Sequence, residues 1–420
     1  FTNVKIEDCR GGQIHLKGVC VDGVSATSLI DTAYGTHHVS AIGFDIQNSD
    51  VILTSCASFR NRKAGFKIDN SNVTVEGGIV GYRNYPLNGT KTGNLATAER
   101  PSTGFYDRDL FDIDTSGHGF YATNSTVNFD SDSSLTNVSG TSNLGKHGYM
   151  MMSNGGNGWL FENCKVYGGV GGHTGDHEQG AGYEDYQTTQ LISSFNKLNG
   201  FVFEDSNVKY QGIIRAQANE VDGVRATKSY LGAMGVMSEC NQETGLNLDA
   251  TNFVYNIGAQ RYTAGYDQGD PNAWEHRAGH SRTTPAMCVT DNGAYNIKVH
   301  NNSNFSDSKI GKSGEYAGLI GGRVYPTLTR AMQAANGKIL NGATINEYEK
   351  GNLPLISVDN NSHARLLGLA AFNDIMKDGH ADSSSVKASV KGRALQVTNN
   401  STADLYGTSA YSTVISAAAF

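Results

Sequence analysis

The sequence predicts an all-β chain wound into a right-handed parallel β-helix, a solenoid with loop insertions and a short helical segment. Three observations predict it: a phrase that returns along the chain, the alternation of apolar residues within that phrase, and a composition of 51 Gly and only 6 Pro in 420 residues. A repeat of roughly constant length is typical of coils in which each unit stacks on the one before it.

The returning phrase reads Gly-apolar-x-apolar-x-Asn/Asp-Ser-x-apolar-x-apolar. Clear copies begin at Gly43 (GFDIQNSDVIL), Gly65 (GFKIDNSNVTV), Gly119 (GFYATNSTVNF) and Gly200 (GFVFEDSNVKY). The small residue after the Asn marks the copies, at Cys9, Ser49, Ser71, Ser125, Cys164, Ser206, Ser229, Thr251, Ser303, Ser362 and Ser401. A unit of about 22 residues, sometimes doubled and sometimes stretched by insertions, explains most of the spacings.

The alternation within one copy predicts three short strands and three bends per turn. The apolar members of the first two runs should point inward, and in the first clear copy these are Phe44, Ile46, Val51 and Leu53. Their neighbours Asp45, Gln47 and Asp50 should face water. A third short run, Ala57 and Phe59, completes the turn. Successive turns of such a coil stack about 4.8 Å apart.

Each position of the polar corner has a physical reason. Asn tolerates the left-handed backbone conformation, and its amide can hydrogen-bond the equivalent Asn one turn away. Ser, Cys or Thr is small enough for a crowded corner. We expect the glycine at the head of the phrase to turn the chain with a positive φ.

The helical segment is predicted at residues 325–335, where Pro326 suits a first turn and Leu328, Met332 and Ala335 share one face. A second, weaker helix is predicted at residues 365–377. No clear copy of the repeated phrase occurs between Gly321 and Ile356. The predicted division is therefore a main coil over 1–320, an irregular or helical segment over 321–352, and final turns with a tail over 353–420.

Charge and cysteine usage exclude several classes of protein. The net charge of −7 provides no basic stripe for nucleic acid. No apolar run reaches the roughly 18 residues of a membrane-spanning helix. The cysteines form no Cys-x-x-Cys pair, so a zinc site is unsupported, and Cys9 and Cys164 are interpreted as small corner residues of a chain assembled in a reducing compartment. The chain starts at Phe1 without a charged-then-apolar leader, which indicates a processed chain or a fragment.

Chemistry is expected in the insertions, because the turns of a solenoid are occupied by packing. Three polar insertions stand out, at residues 84–114, 168–187 and 260–282. A glycoside hydrolase needs two carboxylates, for which the second and third insertions both offer candidates, in the third Asp267, Asp270 and Glu275. A polysaccharide lyase instead needs a cation and a base, for which it offers His276, Arg277 and Arg282.

The second insertion, together with the tryptophan of the third, suggests binding. Tyr183, Tyr186 and Trp274 could stack on sugar rings or fill a subunit interface, where aromatic residues are enriched. The spacing of His173, Asp176, His177 and Glu178 matches no zinc pattern, so we expect neither a metal nor another cofactor. The alternative is that these glycine-rich loops are solvated or pack against a neighbouring subunit.

The repeated GF-x-x-x-NS-x-V phrase resembles the right-handed β-helix tailspike and tail-fibre proteins of bacteriophages, and more distantly the pectate-lyase-like superfamily. The resemblance covers roughly residues 4–305 and 356–405. It implies a homotrimeric virion appendage, located on the phage tail or outside the cell and assembled in the bacterial cytoplasm. The implied partners are other tail proteins and the polysaccharide of a host cell surface.

The phrase contains no catalytic residue, and two main functions stay open. The first is a non-enzymatic tail fibre or tailspike that binds a host glycan. The second is a polysaccharide depolymerase, either a hydrolase or a lyase, on the same fold. A bacterial surface adhesin of similar build is a third possibility.

Overall fold

The computed structural model describes residues 1, 3–11, 14–23, 42–84, 87–88, 112–113, 117–129, 148–169, 190–255, 287–290, 292–307, 318–321, 353–367, 369–372, 393–406, 409–411 and 414–417. The strands in chain order are β1 Val4–Glu7, β2 Ile14–Lys17, β3 Cys20–Asp22, β4 Ile42–Gln47, β5 Asp50–Phe59, β6 Ala64–Asp69, β7 Asn72–Tyr82, β8 Leu87–Asn88, β9 Asp112–Ile113, β10 His118–Thr123, β11 Thr126–Phe129, β12 Gly148–Met152, β13 Trp159–Glu162, β14 Lys165–Gly168, β15 Gln190–Ser194, β16 Phe201–Glu204, β17 Asn207–Gln217, β18 Val224–Thr227, β19 Tyr230–Glu239, β20 Leu246–Asp249, β21 Asn252–Tyr255, β22 Met287–Thr290, β23 Ile297–His300, β24 Asn304–Asp307, β25 Gly318–Gly321, β26 Ile356–Val358, β27 His363–Leu367, β28 Leu369–Phe372, β29 Arg393–Val397, β30 Thr402–Tyr406, β31 Ser409–Tyr411 and β32 Val414–Ala417.

All the described strands except β8 and β9 form three parallel ladders, and β8 and β9 form a short antiparallel pair. Ladder 1 has the order β1-β4-β6-β10-β13-β16-β18-β20-β23-β26-β29-β32. Ladder 2 follows it in each turn and has the order β2-β5-β7-β11-β14-β17-β19-β21-β24-β27-β30. Ladder 3 closes the turn with β3-β5-β7-β12-β15-β17-β19-β22-β25-β28-β31, so the long strands β5, β7, β17 and β19 serve both ladders.

This pairing is a right-handed parallel β-helix, and the predicted fold is confirmed. Uninterrupted turns have the predicted length, since Phe44 pairs with Phe66 and Val224 pairs with Leu246. β26 pairs with β23, so ladder 1 continues on the far side of residues 322–352, which lie outside the described part of the chain. The division at residues 320 and 352 stays a prediction.

The interior of the coil is filled by columns of stacked side chains. Phe44 and Phe66 stack with ring centroids 4.7 Å apart and planes 9° apart. Trp159 and Phe201 repeat this arrangement further along the same column, at 6.1 Å and 3°. Each fully buried aromatic or aliphatic side chain contributes about 1.5–3 kcal/mol from removal of apolar surface from water. The four predicted inward residues of the first clear copy, Phe44, Ile46, Val51 and Leu53, are all buried.

The corner between ladder 1 and ladder 2 confirms the predicted role of the asparagines. Residues at this corner have φ between 46° and 63°, whether they are Asn, Asp, Lys or Ala. Asn70 Nδ2 donates to Asn48 Oδ1 at 2.7 Å, and Asn163 Nδ2 donates to Asn124 Oδ1 at 2.8 Å. The small residues that follow form a second column, in which each backbone N–H donates to the next hydroxyl, as Ser49 does to Ser71 Oγ at 3.0 Å. The cysteines fit this column too, since Cys164 N donates to Ser206 Oγ at 3.0 Å.

A buried column of asparagines occupies the corner between ladder 3 and ladder 1 and was not predicted. In each step a side-chain amide donates to the Oδ1 of the next member at 2.8–3.1 Å. The members are all fully buried: Asn61, Asn84, Asn154, Asn196, Asn219, Asn241, Asn292 and Asn296. A sequence signal existed, because an Asn stands two residues after the end of the third run in successive turns, as in FRN at Phe59 and YRN at Tyr82.

The prediction for the head glycines was wrong. None of the described head glycines, which are Gly43, Gly65, Gly119, Gly158, Gly200, Gly223 and Gly245, has a positive φ. These positions require glycine because there is no room for a Cβ atom. A Cβ on Gly65 would lie 2.6 Å from Asn84 Nδ2 and 2.7 Å from the Gly119 carbonyl oxygen. The glycines therefore let the backbone approach the buried asparagine column and the next turn.

Three further expectations need correction or stay open. The helix predicted at residues 365–377 is wrong over residues 365–367 and 369–372, which belong to β27 and β28 and pair with β30 and β31. The other residues of that segment lie outside the described part of the chain. A short apolar run does not distinguish a helix from a buried strand, and here the pairing decides. The helix predicted at residues 325–335 lies outside the described residues. In the third run, Cys56 and Ser58 face the interior, and Ala57 and Phe59 are half-buried on the outer side.

Candidate functional site

The long insertions leave the coil at only two of its three corners in the part of the chain that the structure describes. The corner from ladder 1 to ladder 2 is short in every described turn. Residues 130–147, 170–189, 256–286 and 308–317 connect ladder 2 to ladder 3, and residues 24–41, 85–117, 322–352 and 373–392 connect ladder 3 to ladder 1. Both edges of ladder 3 are thus the points of insertion. Because inserted loops commonly carry the function of a solenoid, the outer face of ladder 3 is the candidate site.

A row of large side chains begins this face. Asp22, Phe59, Tyr82 and Met152 lie in register on consecutive turns. Adjacent members are therefore spaced by about 4.8 Å along the coil. The rings of Phe59 and Tyr82 meet edge to face, with centroids 6.4 Å apart and planes 79° apart. Both rings are half-buried, so each keeps part of its surface in contact with solvent.

Two arginines follow this row, one residue further along the chain. Arg60 and Arg83 both have left-handed backbones, with φ of 53° and 55°, and they occupy equivalent positions on adjacent turns. The Arg60 guanidinium forms an ion pair with Asp22. The guanidinium of Arg83 lies over the Tyr82 ring, 5.0 Å from its centroid. We refer to Asp22, Phe59, Arg60, Tyr82 and Arg83 as the aromatic–arginine cluster.

The middle of the same face is mostly apolar but includes one cation, the half-buried Arg215, which lies in register between Ile192 and Met237. Met150 and Ile192 pair across adjacent strands and are half-buried on the outer side. Beyond them is a second apolar cluster, separate from the interior of the coil and formed by Ile213, Met234, Met237 and Cys288. The adjacent row becomes polar over the same turns, with Ser194, Gln217 and Glu239 in register. The face thus changes along the coil from aromatic and cationic to apolar with a polar margin.

The outer face of ladder 1 carries a different set of groups. Tyr121 Oη donates to Glu162 Oε2 at 2.7 Å, and Thr123 Oγ1 donates to Asp69 Oδ1 at 2.7 Å. Burial and the hydrogen bond to Glu162 raise the pKa of Tyr121 above its usual range, so the phenol stays protonated at neutral pH. Glu162 is in register with Glu204 on the next turn, which places two carboxylates on neighbouring strands.

His118 is half-buried at the start of β10 in the same ladder, and we expect it to make the stability of the coil dependent on pH. Its Nδ1 accepts a hydrogen bond from the backbone N of Asn157 at 3.1 Å, and burial lowers its pKa to about 4 from 6.5. The unfolded chain therefore binds the proton more tightly. The stabilisation is complete above pH 6.5 and is lost as the pH falls from 6.5 towards 4. This shift in the pKa of His118 corresponds to a contribution of roughly 3 kcal/mol to the free energy of unfolding.

We expect the melting temperature of the native protein to fall more between pH 7 and about pH 4.5 than that of His118→Gln. Thermal melts followed by circular dichroism at both pH values test this. Other titrating groups affect both proteins alike, so the difference between the two pH profiles isolates His118. Parallel profiles would contradict the assignment.

The residues predicted as sites from the sequence lie outside the described part of the chain. This holds for the proposed catalytic residues Asp267, Asp270, Glu275 and His276, and for the proposed sugar-stacking residues Tyr183, Tyr186 and Trp274. They stay predictions. The described residues hold no group of three or more His, Cys, Asp or Glu side chains arranged for a metal ion. No helix within the described ranges is long and apolar enough to cross a membrane.

The functional groups described above were missed because they lie at the variable positions of the repeated phrase. The outer positions of the third run were considered only as a strand, although the aromatics and arginines of FRN and YRN recur in neighbouring turns. That recurrence is the signal by which the cluster could have been found.

Comparison with known proteins does not show a family for this chain. No family model matches the chain, and no curated protein matches it. A crystal structure of a double mutant of the periplasmic alginate epimerase AlgG is similar over 95% of this chain and 85% of that one, at 9% identity and a TM-score of 0.19. So low a score carries no inference about activity.

Proposed function

We propose that this chain is the rod of a bacteriophage tail fibre or tailspike, which binds a host cell-surface polysaccharide on the outer face of ladder 3 without cleaving it. The observation that carries the proposal is a row of side chains in register at the spacing of the turns, in which the half-buried rings of Phe59 and Tyr82 lie next to Asp22, on the face where the insertions begin and end. A regular array of equivalent positions suits a polymer of repeated units. Aromatic faces beside polar groups suit sugar rings, which present apolar faces and hydroxyl edges.

The stacked columns support a mechanical role as well. The asparagine and serine columns satisfy buried polar groups from one turn to the next, so consecutive turns are linked by side-chain as well as backbone hydrogen bonds. A rod of this kind can hold a binding face in place over many turns. We propose that three copies associate side by side, as the resemblance to tailspikes implies, and that other tail proteins attach at the ends.

Binding without cleavage is tested with a panel of purified bacterial capsular polysaccharides and lipopolysaccharide O-chains. We expect at least one of them to bind and to keep its chain length and its number of reducing ends after prolonged incubation. Sedimentation velocity of the protein alone should give a trimer. Failure of every glycan in the panel to bind would count against the proposed glycan binding. A monomer in the sedimentation experiment would contradict the proposed trimer.

A depolymerase is the second candidate, favoured by the registered pair Glu162 and Glu204 beside Tyr121. Two carboxylates about 5–10 Å apart can act as acid and base or nucleophile on a glycosidic bond. New reducing ends would then appear in the same incubations, and unsaturated products would indicate a lyase. In that case Glu162→Gln and Glu204→Gln would stop cleavage if ladder 1 is the site, whereas loss in Asp267→Ala, Asp270→Ala or Glu275→Ala would assign it to the third insertion.

A further inference from the structure

We propose that Asp222, Asn247 and His300 form a proton relay beside ladder 1, in which uptake of a proton by Asp222 reverses the side-chain amide of Asn247 and moves the proton of the neutral His300 ring from Nε2 to Nδ1. Two hydrogen bonds link the three residues across consecutive turns of the coil. The relay makes the hydrogen-bonding character of His300 depend on pH, and it is independent of the proposed glycan binding on ladder 3.

The relay begins at a buried carboxylate. Asp222 stands immediately before a head glycine and is 5% exposed, and the equivalent positions of the two preceding turns hold the buried amides Asn157 and Asn199. Among the described residues Asp222 belongs to no ion pair, and Lys197 and Glu220 on the neighbouring corners pair with each other at 3.2 Å. A buried charge without an ion pair lowers stability. Asp222 is therefore costly at a position where a neutral amide is accommodated one and two turns away.

The hydrogen bonds of the ionised Asp222 fix the orientation of Asn247. Asp222 Oδ1 accepts from the backbone N of Thr244 at 2.9 Å, and Oδ2 accepts from Asn247 Nδ2 at 2.8 Å. Asn247 Oδ1 therefore faces His300, whose Nε2 lies 2.9 Å away. Because an amide oxygen can only accept, His300 Nε2 carries a proton while Asp222 is ionised. The lone pair of the neutral ring is then on Nδ1, which makes no hydrogen bond with a described residue.

A proton on Asp222 fits on Oδ2 but not on Oδ1. The backbone N–H of Thr244 cannot turn away from Oδ1, whereas the side-chain amide of Asn247 can rotate and exchange its oxygen and nitrogen. Asp222 Oδ2–H then donates to Asn247 Oδ1, and Asn247 Nδ2 donates to His300 Nε2. Asp222 takes its proton from water, and the ring exchanges one through solvent without a change of charge. Both hydrogen bonds of the relay are kept with their directions reversed.

The groups around Asp222 favour uptake of the proton. Burial raises the pKa of this carboxyl above its usual range. Hydrogen bonds from Asn247 and Thr244 and the charge of Arg225 oppose this effect, and the charge of Glu243 adds to it. The net direction is upward, so Asp222 is protonated in the folded coil at a higher pH than in the unfolded chain.

The groups around His300 favour the neutral ring that the relay needs. Burial and then the charge of Lys298 lower the pKa of His300, and Arg225 acts in the same direction. The carboxylates of Asp249 and Asp359 on the adjacent turns oppose them. A neutral ring is required because the Nε2–H of an imidazolium cannot accept a hydrogen bond.

Nuclear magnetic resonance of the full chain with isotope-labelled histidine measures which ring nitrogen carries the proton. The signals of His300 are identified by their absence from the spectrum of His300→Gln. We expect the Nε2–H form at about pH 7.5 and a change to the Nδ1–H form as the pH is lowered towards about pH 4.5, before the ring becomes charged.

Substitutions test the path of the relay. Asp222→Asn places an amide donor where the carboxylate accepts, so we expect the ratio of Nδ1–H to Nε2–H in His300 to rise by at least about tenfold at about pH 7.5. Asp249→Asn is the matched control, because it removes a carboxylate that lies in register with His300 but outside the relay. It should change this ratio by no more than about twofold, as expected for a partly exposed charge. Asn247→Ala should abolish the dependence of the ratio on pH.

A thermal measurement tests the charge of Asp222 separately. A carboxyl whose pKa is raised on folding contributes stability that is fully present below 3.8 and is lost as the pH rises through its folded pKa. Asp222→Asn should therefore melt at a higher temperature than the native protein at neutral pH. The difference should shrink as the pH falls towards 3.8.

Each of the other outcomes would overturn the proton relay. They are retention of the Nε2 proton by His300 in Asp222→Asn, an equal change of the ratio in Asp249→Asn, and conversion of native His300 to the imidazolium without an earlier change of tautomer. A difference in melting temperature between Asp222→Asn and the native protein that stays constant with pH would mean that Asp222 gains no proton in this range.

Discussion

Asn196→Ala is expected to lower the free energy of unfolding by about 4 kcal/mol. Asn196 Oδ1 accepts from the backbone N and from Nδ2 of Asn154, at 3.0 and 2.9 Å, and its own Nδ2 donates to Asn219 Oδ1 at 2.9 Å. Its Nδ2 also donates to Ser193 Oγ at 2.9 Å and to the Met151 carbonyl oxygen at 3.3 Å. Alanine removes all of these interactions in a fully buried corner. Leaving a buried donor unsatisfied costs about 1–3 kcal/mol, and here two donors lose their acceptor together.

The matched control is Asn163→Ala at the exposed corner between ladders 1 and 2. Asn163 also donates to an asparagine of the preceding turn, Asn124, but its side chain is exposed and water can replace the bond. Alanine there should cost only about 1 kcal/mol, mostly for its left-handed backbone. Chemical denaturation of both variants measures the difference, and hydrogen exchange should show the Asn196 effect concentrated in neighbouring turns. Equal losses in the two variants would mean that the buried column is not a main source of stability.

Gly200→Ala is expected to prevent normal packing of the coil, with a loss of roughly 3 kcal/mol or more. A Cβ at this position would lie 2.5 Å from the Gly223 carbonyl oxygen and 2.7 Å from Asn219 Nδ2. Both atoms belong to the following turn or to the buried asparagine column, so neither can move alone. The backbone of at least two turns must shift to admit one methyl group.

Gly18 is the contrasting position. Its φ is +65°, and a Cβ there would meet nothing within 4 Å. Gly18→Ala should therefore cost only about 1 kcal/mol, and Gly18→Asn should recover part of it, because Asn tolerates the left-handed conformation. Gly200→Asn should be no better than Gly200→Ala. Melting temperatures of the four variants test the distinction between a requirement for space and a requirement for φ. If Gly200→Asn melts at a higher temperature than Gly200→Ala, and Gly18→Asn melts no higher than Gly18→Ala, the roles assigned to the two glycines are reversed.

The corner between ladders 1 and 2 could be predicted in detail because its requirements are local. The left-handed backbone and the small following residue are needed in every turn, so they recur as Asn-Ser or a close variant and reveal the period. The substitutions that break the pattern, such as Lys228 and Ala250, adopt the same φ because the neighbouring turns impose it. The hydrogen bond from Ser49 to Ser71 then follows from the 22-residue repeat.

The buried asparagine column and the head glycines could not be understood in the same way. The glycine was assigned to a turn because glycine commonly takes a positive φ, but its neighbour in space is an asparagine from another part of the turn. Gly43 meets Ser58 and Asn61, which are separated from it along the chain by two strands. Contacts of this kind appear only when the third strand is placed beside the first.

The sequence by itself determined the coil, its period, its inward-facing residues and one of its corners, because each depends on the local alternation and on residues that repeat with the turn. Only the tertiary structure decided which of the three outer faces lies between the points of insertion, and which side chains meet there. Phe59, Tyr82 and Arg83 come together because adjacent turns stack in register, and register is a property of paired strands. For the same reason residues 365–367 and 369–372 are strands, since pairing with the neighbouring turn outweighs the intrinsic preference of a short apolar run.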